Sequence, residues 1–187
     1  MKLRIPNNLS KIFSGVLNVT RIEYKYPCLN IYSGEWWKTL PTEFKKYSAR
    51  IRVSKDGSFI LPDRLKKSVG IGNRIIILPH ETNIEIWDEA IFWKFRKNFI
   101  KRSSFIRRWK NDLSRSELTK LQNFVELECR YFKEANPHLS STKKKKVYDV
   151  ILGISVIKIY DARRYPSNHV GMPAEYKVYH QRGHKRK

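Results

Sequence analysis

Acidic side chains are scarce in this sequence, and so are the residues that build disulfide or metal scaffolds. Seventeen Asp and Glu stand against 39 Lys and Arg, a formal net charge of +22 over 187 residues. An excess of that size opposes compaction by self-repulsion unless a polyanion neutralises it, so the expected partner is a nucleic acid. No apolar run approaches the roughly 20 residues of a membrane span. The two cysteines, Cys28 and Cys129, are far apart and no CxxC occurs. That excludes a zinc ribbon built from this chain alone and fits a reducing compartment. His180 and His184 have the spacing of one helix face, but they sit among Arg182, Lys185, Arg186 and Lys187. A basic tail is the expectation there, with no metal site and no cofactor. Also missing are a nucleophile–base pair and a phosphate-cradling glycine loop. Gly70-Ile71-Gly72 reads as a turn between helix and strand, so no enzyme and no catalytic residue is expected.

What is present is hydrophobic enough, at 41%, for a globular fold. It also contains an internal echo. Leu3-Arg4-Ile5-Pro6-Asn7-Asn8-Leu9-Ser10-Lys11 parallels Phe59-Ile60-Leu61-Pro62-Asp63-Arg64-Leu65-Lys66-Lys67. In each, apolar strand residues lead to a proline suited to the first turn of a helix. Leu29-Asn30-Ile31-Tyr32-Ser33-Gly34-Glu35 parallels Ile84-Glu85-Ile86-Trp87-Asp88-Glu89-Ala90. Each is an alternating strand that ends in an aromatic and a polar helix cap. The two pairs occur in the same order and at nearly the same offset, Leu3 answering to Phe59 and Leu29 to Ile84. Residues 1–93 therefore read as two copies of one strand–helix–strand–strand unit, 1–45 and 46–93. Asp56-Gly57 is a hairpin signal. Between the copies, Trp36, Trp37 and Leu40 suggest an amphipathic helix restarted at Pro41, its rings packed in the core.

Residues 94–187 form a basic extension. The stretch 93–110 carries Lys94, Arg96, Lys97, Lys101, Arg102, Arg107, Arg108 and Lys110 without an acid, interleaved with Phe95, Phe99, Phe105, Ile106 and Trp109. Cations track a phosphate backbone, and rings serve bases or packing. Ser114-Arg115-Ser116-Glu117 is a capping box opening a helix that Asn136-Pro137 closes, so helices are expected over about 94–136. Leu118, Leu121, Val125, Cys129 and Phe132 form its apolar stripe, with Cys129 a core thiol. Lys143, Lys144, Lys145 and Lys146 make a run suited to phosphate. Residues 147–160 are β-rich, with Gly153 as a bulge, so strands are expected there. A basic tail, 161–187, carries Arg163, Arg164, Arg182, Lys185 and Arg186. From Met1 to Ile22 the sequence has no acid and intersperses cations with apolar residues, as a mitochondrial targeting segment does. This stretch serves as an uncleaved signal or as part of the fold, and the repeat argues for the fold.

The stretches "YPCLNIYSGEWW" and "GSFILPDRLKKSVGIGNRIIILPHETNIEIWDEAIF" carry a resemblance to the MraZ family. The resemblance covers residues 1–93. It implies an α+β protein whose two repeats interleave as AbrB-like swapped hairpins into one small, double-psi-like β-barrel. It also implies a DNA-binding transcriptional regulator that assembles into rings. One departure bears on function. The Asp-x-x-x-Arg signature before the proline strand falls on Ser54 and Ser58 in the second copy, and a serine cannot supply the bidentate contact of an arginine. The expected function is therefore a structural RNA-binding component of a large ribonucleoprotein, a mitochondrial ribosomal protein derived from such a regulator, bound to rRNA and neighbouring subunits. The alternative is a MraZ-like regulator of a bacterial nucleoid, reading DNA through Arg50, Arg52, Lys55, Arg64, Lys66 and Lys67.

Overall fold

Strands such as Ile75-Ile76-Ile77-Leu78 carry apolar side chains on both faces, and both faces of their sheet are covered. The computed structural model describes residues 2–22, 25–102 and 104–164. Among them run β1 (Lys2–Arg4), a 3-10 turn (Asn7–Leu9), β2 (Gly15–Ile22), β3 (Cys28–Tyr32), α1 (Gly34–Thr39), α2 (Thr42–Lys45), β4 (Ser48–Val53) and β5 (Ser58–Ile60). Then follow α3 (Asp63–Ser68), β6 (Ile75–Pro79), β7 (Asn83–Asp88), α4 (Glu89–Arg102), α5 (Ser104–Asn111), α6 (Arg115–Ala135) and α7 (Ser141–Arg164). The protein is α+β. Its five-stranded antiparallel sheet has the order β4-β2-β3-β7-β6, and β1 pairs with β5 in a separate ladder. The described strands thus form an open sheet and a two-stranded ladder, where the resemblance implied a closed barrel.

The registers carry a pseudo-twofold. The β1–β5 ladder centres on Leu3 opposite Phe59, and its flanking pairs Lys2–Ile60 and Arg4–Ser58 exchange under the offset that relates those two residues. The β3–β7 ladder centres on Asn30 opposite Glu85, and Leu29–Ile86 and Ile31–Ile84 exchange in the same way. The offsets are those of the sequence echo. Within the second copy, Gly70 closes α3. At φ +67° it is C′ of a Schellman motif, with Gly70 N–H donating to Lys67 O (3.1 Å) and Ile71 N–H to Lys66 O (3.0 Å).

One face of the sheet, with Val19, Leu29, Ile31, Ile77, Ile84 and Ile86, packs on Ile5, Leu9, Phe13, Phe59 and Leu65. The acid-free first segment thereby supplies core. The opposite face, with Cys28, Tyr32, Ile76, Leu78 and Trp87, packs on α1, α2 and the four long helices. Phe44 is buried, and Trp36 and Trp37 lie against that core.

Residues 147–160 correct the expectation of strands. They lie within α7, and Val147, Val150, Ile151, Ile154, Val156 and Ile157 are all at 1% exposure or less. A helix enclosed by α4, α5 and α6 has little polar face, so its sequence lacks the 3.6-residue rhythm and β-branched residues dominate it. Gly153 is no bulge. A Cβ there would stand 2.6 Å from the Phe99 ring and 2.8 Å from Ile106, so its lack of a side chain lets α4 and α5 approach α7.

The outer edge of β6 is the place where sheet and helices are joined. Asn136, the C-cap of α6, accepts from Ile77 N–H through Oδ1 (2.8 Å) and donates from Nδ2 to Ile77 O (2.6 Å). It also donates to Phe132 O (2.9 Å), and a ring nitrogen of His138 lies 3.0 Å from Ile75 O. An amide side chain here stands in for the next strand. By the pseudo-twofold this edge corresponds to the β2 edge that β4 occupies.

Candidate nucleic-acid interface

The mixture of rings and cations in residues 93–110 sorts into two faces once it is helical. Asp88 caps α4, its Oδ1 accepting from Ala90 N–H (3.0 Å) and Ile91 N–H (3.3 Å). Phe92, Phe95 and Phe99 then point inward, Phe95 stacking on Trp87 at 4.7 Å between centroids. In α5, Ile106 and Trp109 point inward, and Trp109 stacks on Tyr160 of α7 at 4.1 Å. These rings are packing, not base platforms. Lys94, Lys97 and Lys101 of α4 and Arg107, Arg108 and Lys110 of α5 are left on the outer face.

The lysine run, Lys143 to Lys146, spans the first and second turns of α7, and the first turn has no acid. A helix N-terminus carries about half a positive charge, so each cation there opposes helix formation by roughly 0.3–1 kcal/mol at low ionic strength. Lys143 is answered by Glu89, whose carboxyl the Lys143 ammonium holds below its ordinary range against the effect of burial. Lys144, Lys145 and Lys146 have no carboxylate partner among the described residues, nor do Lys94, Lys97, Lys101, Arg107, Arg108 or Lys110. A phosphate at this terminus would reverse the sign of the interaction.

Helical geometry divides the run. Lys143 and Lys146 face α4, where with Arg96, Lys97, Lys101, Trp93 and Ile100 they line a groove of about 600 Å³. Trp93 is half-buried at its wall, its Nε1–H donating to Glu89 (3.3 Å). Lys144 and Lys145 face the other way, toward α6.

Other cations expected at phosphate are engaged within the protein. Arg96 Nη2 donates to Asp149 Oδ2 at 3.0 Å and joins α4 to α7. Arg163 meets an anion, but the anion is Glu117. Its Nε and Nη2 grip both carboxylate oxygens, and Nη2 also reaches Asp112 O (3.3 Å). Bonding to Arg163 and then to Ser114 lowers the Glu117 pKa to about 2, and the same pair raises that of Arg163. Ser114 and Glu117 form the capping box of α6, so this pair ties the end of α7 to the start of α6. The side chains of Arg102 and Arg164, and all of Arg182, Lys185, Arg186, His180 and His184, lie outside the described residues.

The surface of the alternative reading is different in kind. Arg50, Arg52, Lys55, Arg64 and Lys67 are spread along β4, the following turn and α3. Ser54 and Ser58, where the resemblance put the signature, close a turn on themselves. Ser54 N–H donates to Ser58 O (2.8 Å), and Ser58 Oγ donates to Asp56 Oδ1 (2.8 Å). Neither hydroxyl replaces a base-reading guanidinium.

Sequence reasoning missed a buried charge cluster. Glu128 of α6 is 2% exposed, with His80 Nδ1 at 3.2 Å and the Lys158 ammonium at 2.6 Å. His80 Nε2 lies 3.7 Å from Glu85, which accepts from Trp87 Nε1–H at 2.9 Å. Burial raises the Glu128 pKa, but Lys158 and then His80 outweigh it and hold the carboxyl at about 2. The signal was in the spacing: Glu128 falls between Val125 and Phe132 on the apolar stripe. Cys129, beside it, is half-buried in the α6–α7 groove, and burial pushes its thiol up.

No described helix is long and apolar enough to cross a membrane. No protein-family model matches this sequence, and no curated protein aligns with it significantly.

Proposed function

We propose that this protein is a structural RNA-binding component of a large ribonucleoprotein, held to RNA through the outer faces of α4 and α5 and the start of α7. The observation that carries this reading is the set of cations on those faces that have no carboxylate partner among the described residues, Lys94, Lys97, Lys101, Arg107, Arg108 and Lys146, gathered with no acid among them. Cations so placed weaken the free chain and strengthen a complex with phosphate. The particle we propose is an organellar ribosome, a reading supported by the +22 charge and by the acid-free stretch from Met1 to Ile22. The doubled unit we read as a MraZ-like scaffold of AbrB type, supported by the pseudo-twofold registers of β1–β5 and β3–β7. Its self-closing Ser54–Ser58 turn speaks for a scaffold reused without base readout.

The test is gradient sedimentation of a native extract, with and without ribonuclease, for the natural chain and for Lys97→Ala/Lys101→Ala/Lys146→Ala. The natural chain travels with a heavy RNA-containing particle and moves to light fractions after ribonuclease. The variant, with an unchanged melting temperature, stays light. On single-stranded RNA its log–log salt slope falls by about 2, roughly 0.7 per lost contact. A natural chain that sediments as a small oligomer and ignores ribonuclease overturns the proposal.

A further inference from the structure

The lysines on the far side of α7 border a groove of another chemistry. It runs along α6 and α7 with a volume of about 1470 Å³. Its floor is aliphatic: Leu118, Leu121 and Val125 of α6 and Leu152 of α7, with Tyr148 beside them. Leu118 is 41% exposed and Tyr148 45%, so part of this floor meets water. Its rim is basic, formed by Lys110, Arg130, Lys133, Lys144 and Lys145 against the single acid Glu126, which accepts from Gln122 (3.0 Å).

We propose that this groove docks an acidic amphipathic helix of a neighbouring protein. The proposal rests on the ribonucleoprotein reading and adds to it the chemistry of a protein contact. Leu121 and Val125 are buried between α6 and α7, and the apolar surface left open along the groove is that of Leu118, Tyr148 and the half-buried Cys129 and Leu152, a strip that fits the apolar ridge of a further helix. From Leu118 to Lys133 the groove spans about 22 Å at 1.5 Å per residue, four turns of a ligand helix. Charge selects among occupants. The chain's own last residues carry Lys177, Arg182, Lys185, Arg186 and Lys187 against Glu175 alone, and a second copy brings another +22. Both are repelled by this rim. RNA satisfies the rim, but its phosphates have no use for an aliphatic floor, whereas Asp and Glu flanking a leucine stripe satisfy rim and floor together.

The test places a photoreactive benzoylphenylalanine at Leu118 in the full chain, within the native particle, with a second preparation carrying it at Ile100 in the α4–α7 groove. The expected product at position 118 is a crosslink to a peptide whose apolar residues recur at three and four and whose remaining residues are rich in Asp and Glu. Cys129 gives an independent readout, because Cys28 is buried and Cys129 is the half-buried thiol lining this groove. Maleimide labels it in the free chain, and the particle protects it even after ribonuclease digestion. A crosslink from 118 to RNA, to a basic or extended peptide, or to nothing, overturns the proposal, as does protection that ribonuclease abolishes. RNA crosslinks at 100 in such a case leave the RNA-binding reading standing. Their absence from a chain that does not enter a particle removes both.

Discussion

In the sheet, buried polar groups meet one another: Asn83 donates to Asn30 at 2.6 Å, and Trp87 donates to Glu85. In the helices around it, Lys94, Lys97, Lys101, Arg107, Arg108 and Lys144 to Lys146 have no carboxylate partner among the described residues. The strand-built half carries an internal symmetry, its β1–β5 and β3–β7 ladders each centred on a residue pair one repeat apart. The helix-built half packs inward on the sheet and leaves its cations on the outer face. The difference sets a half whose buried polar groups pair with one another against a half whose outer charges are left to solvent or to the partner proposed above.

The two halves are joined by few polar contacts, and the joint is where the comparison breaks most readily. Glu128→Gln removes the charge that Lys158 and His80 surround and is expected to lower stability by about 3 kcal/mol, read from urea unfolding. The same change alters the response to acid. The natural Glu128 has a depressed pKa, so its stabilisation is full above its ordinary value of 4.5 and is lost as pH falls toward about 2. The difference in stability between natural chain and variant should therefore shrink over that window. A constant difference down to pH 2 would mean that the pairing contributes nothing through charge. Next in size is Asn136→Leu, which leaves the N–H and C=O of Ile77 unpaired at a buried edge and is expected to remove about 2 kcal/mol. Hydrogen exchange at Ile77 accelerates if the amide is its partner, and unchanged exchange counts against that role. The smallest effect sharpens the contrast. Arg50→Ala/Arg52→Ala lies on β4 of the strand-built half and should leave RNA affinity and its salt slope unchanged. A slope reduced by about 1.4 would put phosphate on β4 and erase the distinction between the halves.

The sheet half was legible because its signals are local. Alternation at residues 29–32 and 84–87, prolines before short helices and the Asp56-Gly57 turn each specify their own neighbourhood. The capping box at Ser114 and the Asp88 cap were readable for the same reason. Residues 147–160 read as strand because they are rich in β-branched residues, while enclosure by three helices makes them helix. At the interface, sign and density of charge were readable from composition, but allocation was not. Whether an arginine meets phosphate or Glu117 depends on α7 bringing Arg163 back beside Asp112. Likewise, the division of Lys143 to Lys146 between two grooves requires knowing that the run is helical.

The lysine run at the start of α7 gives ionic strength two opposite meanings. In the free chain, added salt screens the mutual repulsion of Lys144, Lys145 and Lys146 and that of Lys144 with the helix dipole, and so favours folding. In a complex with a polyanion, the same salt weakens every phosphate contact. If the proposed polyanion is the partner, added salt stabilises the free chain and weakens the complex. A preparation made in one regime and studied in the other passes through the condition in which neither stabilisation is complete.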